Sequence, residues 1–132
     1  MITIKNLQLN NETISALNLL IDMDINAGLA FRLMRIIKEV SSLVDDKIKL
    51  EKKIFSKYVE KDENGNPLQA VDEENNPING AYKIINMDGF NREMSELMNV
   101  ENNIAYDKVN FEDLNLTTVK IKDLAKIEFL FN

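Results

Sequence analysis

The sequence contains no cysteine and no histidine. Without cysteine the chain has no disulfide, no thiolate metal site and no cysteine nucleophile. Without histidine it lacks the side chain that proteins use most often as a general base and as a metal ligand. Together these absences argue against an enzyme and against a resident cofactor.

Long apolar runs are missing as well. No stretch approaches the ~20 residues of a membrane span, and the first residues lack the apolar core of a signal peptide. We therefore expect a protein that acts in the cytoplasm and does not bind membranes. The formal net charge of −6 argues against binding to duplex nucleic acid, which depends on Lys and Arg. The acidic excess lies in residues 59–132, and the preceding residues carry a small basic excess.

The length of the chain and its composition, 45% hydrophobic and 29% charged residues, predict one folded domain over residues 1–132. The most regular stretch is residues 26–59, where a heptad seam alternates steps of four and three. Its members are Leu29, Leu33, Ile36, Val40, Leu43, Lys47, Leu50 and Ile54. This pattern predicts a helix roughly 50 Å long. Lys47 interrupts the seam and is the first place to look for the end of its intramolecular cover.

The remaining elements are shorter. Residues 1–9 alternate like a strand whose phase slips between Lys5 and Asn6, which suits a bulge. A helix follows at 12–23, capped by Asn10 or Asn11, and Asn26 can cap the long helix. Residues 60–85 hold both prolines and a repeated acidic turn signal, which predicts a β-ribbon.

The C-terminal part begins with a helix at 86–100. Asn86 can cap it, and Ile85 with Phe90 can form a hydrophobic staple. Residues 104–132 are predicted to form an extended segment, with strand-like Val119 and Ile121, and a short C-terminal helix. The residues that suit this helix are Leu124, Ile127, Leu130 and Phe131, and the sequence leaves its boundary with the extended segment open.

These elements predict an α+β fold that is mainly α-helical. We expect the long helix and the helix at 86–100 to form an antiparallel hairpin, with the β-ribbon as an excursion and short strand and helix segments at the termini. Because the second helix covers less than half of the first, we also predict a homo-oligomer formed through the long helix.

Two groups of residues are candidates for a binding site. Asp62, Asn64, Asn66 and Glu73 fall at positions 1, 3, 5 and 12 of a calcium loop, but Pro67 replaces the required glycine, so we reject a metal site.

The second group, Arg32, Arg35 and Lys38, can bind an anion such as a nucleotide phosphate. The alternative for this group is a salt-bridged outer helix face that includes Glu39. A further basic group comprises Lys49, Lys52, Lys53 and Lys57. The methionines, Met34 among them, can form an adaptable partner surface or fill the core.

Several motifs resemble a family of small bacteriophage proteins of unknown function. They are Ala16-Leu17-Asn18, Lys57-Tyr58, the acidic turn at 62–66 and Phe90-Asn91. The resemblance implies a phage or prophage protein in the bacterial host cytoplasm, and the family has no established catalytic residues. We therefore expect a non-enzymatic protein that binds a host or phage protein, as a virion-assembly accessory or a modulator of the host. The alternative is an anti-defence factor that sequesters a small nucleotide signal.

Overall fold

The computed structural model describes residues 1–114 and 120–132 of the chain. Within them lie four α-helices and four β-strands. In chain order they are β1 (Ile2–Lys5), α1 (Asn11–Ile21), α2 (Ala27–Tyr58), β2 (Gln69–Val71), β3 (Pro77–Tyr82), α3 (Met87–Met98), β4 (Glu101–Ile104) and α4 (Ile121–Ala125). β1 pairs with β4 and β2 pairs with β3, both antiparallel. The prediction of a mainly helical α+β fold is confirmed.

The contacts divide the chain into two compact units. The first contains Met1–Ile48 and Met98–Asn132, and the second contains Lys49–Leu97. Helix α2 is continuous and contributes to both. The prediction that residues 1–132 form a single domain stays a prediction.

The first unit holds the main hydrophobic core. Ile2 and Ile4 of β1 face inward, and Ile2 lies opposite Ile104 of β4. The other buried members are Leu9, which lies before α1, and residues of α1, α2 and the C-terminal segment. Those of α1, α2 and the C-terminal segment are Ala16, Leu17, Leu20, Leu33, Ile36, Val40, Val44, Val109, Leu114, Ile127, Phe129 and Leu130.

The first strand is shorter than predicted, because residues Asn6–Gln8 form a 3-10 turn instead of a bulged strand. The Asn6 N–H still donates to the Val100 carbonyl at 2.9 Å, and side-chain amides add further hydrogen bonds at this point. The backbone N–H of Lys5 donates to Gln8 Oε1 at 3.0 Å, and Asn102 Nδ2 donates to the buried Asn6 Oδ1 at 2.8 Å. The phase slip in the sequence therefore marks the end of the strand.

Helices α1 and α2 begin at the predicted caps. Asn10 Oδ1 accepts the Thr13 N–H at 2.9 Å, and Asn26 Oδ1 accepts the Gly28 N–H at 2.8 Å. Each asparagine satisfies backbone donors that the first helical turn leaves without a partner.

The seam of α2 is buried in its first part. Leu33, Ile36, Val40 and Val44 are the buried residues of the helix, whereas Leu29 and Leu43 are partly buried. At Lys47 the ammonium group donates to the Leu9 carbonyl at 2.8 Å, and Leu50 is 45% exposed. Burial of the seam therefore weakens around Lys47, but it does not end there, because the seam residue Ile54 is again half-buried.

In the second unit, the predicted ribbon contains the same turn twice. Asp62 Oδ1 accepts the N–H groups of Asn64 and Asn66, and ten residues later Asp72 Oδ1 accepts those of Glu74 and Asn76, all at 2.9 Å. The positive φ angles of these turns fall on residues that tolerate them, 82° at Gly65 and 64° at Asn75.

Helix α3 begins at its predicted cap, where Asn86 Oδ1 accepts the Gly89 N–H at 3.0 Å. The predicted staple between Ile85 and Phe90 is wrong. Phe90 instead packs edge-to-face on Tyr58, with ring centroids 6.1 Å apart, while Ile85 is 69% exposed. An aromatic partner distant in sequence has replaced the local one.

Residues 104–132 are less extended than predicted. Phe111–Leu114 is a 3-10 turn, and Val109 pairs with Phe131 in an isolated parallel bridge. Ile121 was expected in a strand but opens α4, where it is 85% exposed. The predicted strand residue Val119 lies outside the described residues. The final helix contains Leu124 of the residues expected in it and ends at Ala125, and a 3-10 turn follows at Glu128–Leu130.

Candidate functional site

The candidate site begins with four exposed residues on α2. Phe31, Met34, Arg35 and Lys38 follow each other at steps of three and one, so they line one side of the helix. The side chains that α2 buries, Leu33 and Ile36 among them, point elsewhere, into the core. The periodicity that buries the seam therefore leaves this second side exposed.

These residues line a groove of about 360 Å³ in the first unit. We name it the α2 groove and define it by Phe31, Met34, Arg35, Lys38, Glu39 and Tyr106. Tyr106 follows β4, where its own N–H donates to the Ile104 carbonyl at 2.8 Å, and its side chain packs on the core. Pairing of β4 with β1 thus fixes the one residue of the groove that does not come from α2.

The α2 groove combines apolar and cationic groups. Phe31 and Met34 are 59% and 55% exposed. The Arg35 guanidinium carbon lies 5.0 Å from the centroid of the Phe31 ring, a cation–π contact. Lys38 adds a second cation, and Glu39 a carboxylate. Such a surface can receive an apolar group beside an anionic group.

The three predicted basic residues do not share one site. Arg35 and Lys38 line the α2 groove, whereas Arg32 lines another cavity, together with Asn26, Gly28, Leu29 and Asp113. Each step of three residues turns a side chain by about 60° around a helix axis, because successive residues are about 100° apart. Arg32 and Lys38 are two such steps apart, which places them on different sides. Their binding role stays a prediction.

Phe31, Glu39 and Tyr106 belong to the α2 groove but were not among the candidate residues. The sequence could have indicated Phe31, because it lies four residues before Arg35 on the same helix and such residues are neighbours on the helix surface. No sequence signal pointed to Tyr106. It lies in the groove because β4, which precedes it, pairs with β1, a strand about a hundred residues away in the chain.

The calcium-loop candidates lie in two different turns. Asp62, Asn64 and Asn66 belong to the first turn, where Asp62 Oδ1 already accepts two backbone N–H groups, and Glu73 belongs to the second. Among the described residues, no group of three or more acidic, histidine or cysteine side chains is placed to hold a metal ion. The carboxylate of Asp62 has a structural role in its turn.

The second unit contains an exposed ion pair between Lys57 of α2 and Glu93 of α3, at 2.6 Å. The hydrogen bond to Glu93 raises the pKa of Lys57, and the same bond lowers the pKa of Glu93. Lys57 also lies 5.2 Å from the Tyr58 ring centroid. Because each charge favours the charged form of the other, this pair stabilises structure and offers no group poised for acid–base chemistry.

Comparison of the chain with protein-family models, curated proteins and solved structures finds no match in any of the three. None of the helices within residues 1–114 and 120–132 is both long and apolar enough to cross a membrane.

Proposed function

We propose that this chain is a non-enzymatic binding protein whose α2 groove contacts another protein. The supporting observation is that Phe31 and Met34, each more than half exposed, lie beside Arg35, Lys38 and Tyr106. Single exposed apolar residues are ordinary, but apolar groups that adjoin one another and have charged neighbours are typical of interaction sites. Aromatic residues, Met and Arg are also the residue types enriched in protein interfaces.

The biological setting is part of the same proposal. The motif resemblance supports a phage or prophage protein in the host cytoplasm, acting as a virion-assembly accessory or as a modulator of a host protein.

We further propose that α2 and α3 pack as an antiparallel hairpin. The contacts of Lys57 with Glu93 and of Tyr58 with Phe90 support this arrangement at the end of α2. Self-association through the long helix belongs to the proposal as well.

A second candidate function is sequestration of a nucleotide signal. It is favoured by the presence of two cations and two aromatic rings in the α2 groove, because phosphates bind Arg and Lys and bases stack on rings. Two features weaken this candidate. Arg32 lines a different cavity, and Glu39 places a negative charge where a phosphate would bind. Protein binding is therefore our first choice.

Site-specific photocrosslinking tests the first choice. A photoreactive amino acid replaces Met34 in the groove or, as a control, the exposed Lys52 of the same helix. In bacterial cells we expect a defined protein adduct from position 34 but not from position 52. The adduct should disappear when Phe31→Ser and Lys38→Ala are added. Adducts that form equally at both positions, or that survive those substitutions, would contradict a specific α2 groove interface.

Native mass spectrometry of the purified protein tests the second candidate. A co-bound nucleotide that is lost in Arg35→Ala would favour sequestration. A protein that carries no nucleotide, and whose spectrum does not change when nucleoside phosphates are added, would exclude it.

A further inference from the structure

The β2–β3 hairpin ends in an acidic turn with a fixed backbone. Asp72 Oδ1 holds the N–H groups of Glu74 and Asn76, and the Asp72 N–H donates to the Asn76 carbonyl at 3.0 Å. The carboxylates of Glu73 and Glu74 are exposed on this turn. A turn that is already ordered loses little conformational entropy when it binds.

Apolar side chains flank the acidic turn. Val71 precedes it and is 40% exposed, and Ile78 follows it and is 42% exposed. The turn with its flanks, residues 71–78, is named the hairpin tip. It therefore presents two exposed glutamates between two partly exposed apolar residues.

The α2 groove has the complementary composition. Its two cations, Arg35 and Lys38, outnumber its single carboxylate, Glu39, so the groove keeps a net positive charge for the glutamates of the tip. Phe31 and Met34 are available to apolar groups. We propose that the α2 groove of one copy of this chain receives the hairpin tip of a second copy. This inference rests on the proposed function in that it uses the same groove, and it names a second copy as an occupant.

The contact would be between two different surfaces, so it is head-to-tail. Contacts of this kind produce rings when the rotation closes and open chains when it does not. A partner protein in the α2 groove would then compete with self-association.

Charge decides the selectivity of this contact. Each copy carries a net charge of −6, so two copies repel at long range. At physiological ionic strength charges more than ~8 Å apart are largely screened, which leaves the local pairing of Arg35 and Lys38 with Glu73 and Glu74 to determine which surfaces meet. The apolar side chains supply contact area.

Sedimentation velocity across micromolar concentrations tests the proposal with two charge reversals. The groove reversal combines Arg35→Glu with Lys38→Glu, and the tip reversal combines Glu73→Lys with Glu74→Lys. We expect the wild type to self-associate and each reversal to weaken association at least about tenfold, since attraction becomes repulsion. An equimolar mixture of the two variants should associate again, because both contacts in the mixed pair are complementary.

Matched controls place the same charge changes elsewhere. Lys52→Glu with Lys53→Glu reverses two exposed cations of α2 outside the groove, and Glu60→Lys with Glu63→Lys reverses two exposed acidic residues near the first turn. Both controls should associate like the wild type, and circular dichroism confirms that each variant is folded.

A monomeric wild type, controls that weaken association as strongly as the reversals, or a mixture that fails to associate would each overturn the inference. The result also separates it from the proposed function. A monomeric chain that still forms the Met34 adduct with another protein contradicts the second-copy inference and self-association through the long helix, but it leaves the α2 groove as a binding site for another protein. A self-associating chain whose Met34 crosslinks exclusively to further copies contradicts the proposed function alone.

Discussion

Val40 and Leu43 are neighbours in the seam of α2 but differ in burial. Val40 is 0% exposed, whereas Leu43 is partly buried. We expect Val40→Asp to lower the free energy of unfolding by roughly 4 kcal/mol or more, because it places an unpaired charge in the core. Leu43→Asp should cost less, since its carboxylate can reach water. Urea denaturation followed by circular dichroism measures both, and equal losses would contradict the difference in burial.

The ion pair of Lys57 and Glu93 makes stability depend on pH at both extremes. The folded-state pKa of Glu93 lies below its ordinary value of 4.5, so the pair stabilises fully above that pH and its contribution is lost as pH falls through the lowered pKa. The pKa of Lys57 is raised above 10.5, so the contribution is lost as pH rises through the raised value. The effect is small because the pair is exposed to solvent.

Nuclear magnetic resonance titration of the Glu93 side-chain carboxyl measures the lowered pKa of Glu93 directly. We expect its pKa to rise toward the ordinary value in Lys57→Met, because the charge-assisted hydrogen bond is gone. Lys52→Met serves as the control, since it removes a lysine of the same helix that the ion pair does not contain. An unchanged Glu93 titration in Lys57→Met would show that the ion pair does not form in solution.

The candidate site could be predicted from sequence where its residues share a helix. The spacing of Arg35 and Lys38 was sufficient to place them together, and the same rule, applied to Arg32, would have separated it from Lys38. Tyr106 could not be found in this way. Its position depends on the pairing of β1 with β4, and no local pattern states which strands pair.

At the scale of elements, the first turn of α3 is built around Gly89. A Cβ at this position would lie 2.8 Å from Asn86 Nδ2 and 2.9 Å from Tyr58 Cε1. Alanine normally favours a helix over glycine by about 1 kcal/mol. We nevertheless expect Gly89→Ala to destabilise the protein, because it displaces both the helix cap and the ring that packs on Phe90.

Thermal denaturation measures this effect, with Gly28→Ala in the first turn of α2 as the matched control. A Cβ there meets a single side-chain atom, Asn26 Oδ1 at 3.1 Å, so the change should be close to neutral. A Gly89→Ala variant as stable as Gly28→Ala would contradict close packing at Tyr58.

The helix starts were the most predictable feature of the elements. Asn10, Asn26 and Asn86 cap their helices as predicted, because a cap needs contacts within a few residues. The predictions of local structure were wrong at positions whose contacts are made with residues distant in the sequence. The Asn6 side chain accepts a hydrogen bond from Asn102, 96 residues away in the chain, and Phe90 packs on Tyr58 instead of Ile85.

At the scale of the whole molecule, α2 serves both compact units. Its residues up to Val44 bury their seam in the first unit, and Phe55 and Tyr58 make ring contacts with Tyr82 and Phe90 in the second. The heptad pattern predicted one long element correctly, but periodicity does not specify which partners cover each part of it.

Because α2 belongs to both compact units, its unfolding affects both of them. Helix formation is cooperative, so loss of one part of α2 weakens the rest. We therefore expect the chain to unfold in a single transition, as the prediction of one domain requires. Tyrosine reports on both units, since Tyr106 belongs to the first and Tyr58 and Tyr82 to the second.

Fluorine magnetic resonance of the fluorotyrosine-labelled protein follows the three tyrosines separately during urea denaturation. Their midpoints should coincide, and Val40→Asp, a change in the first unit, should lower all three together. If Tyr58 and Tyr82 kept their wild-type midpoint while that of Tyr106 fell, the two units would be independent domains. The continuity of α2 would then connect them without coupling their stability.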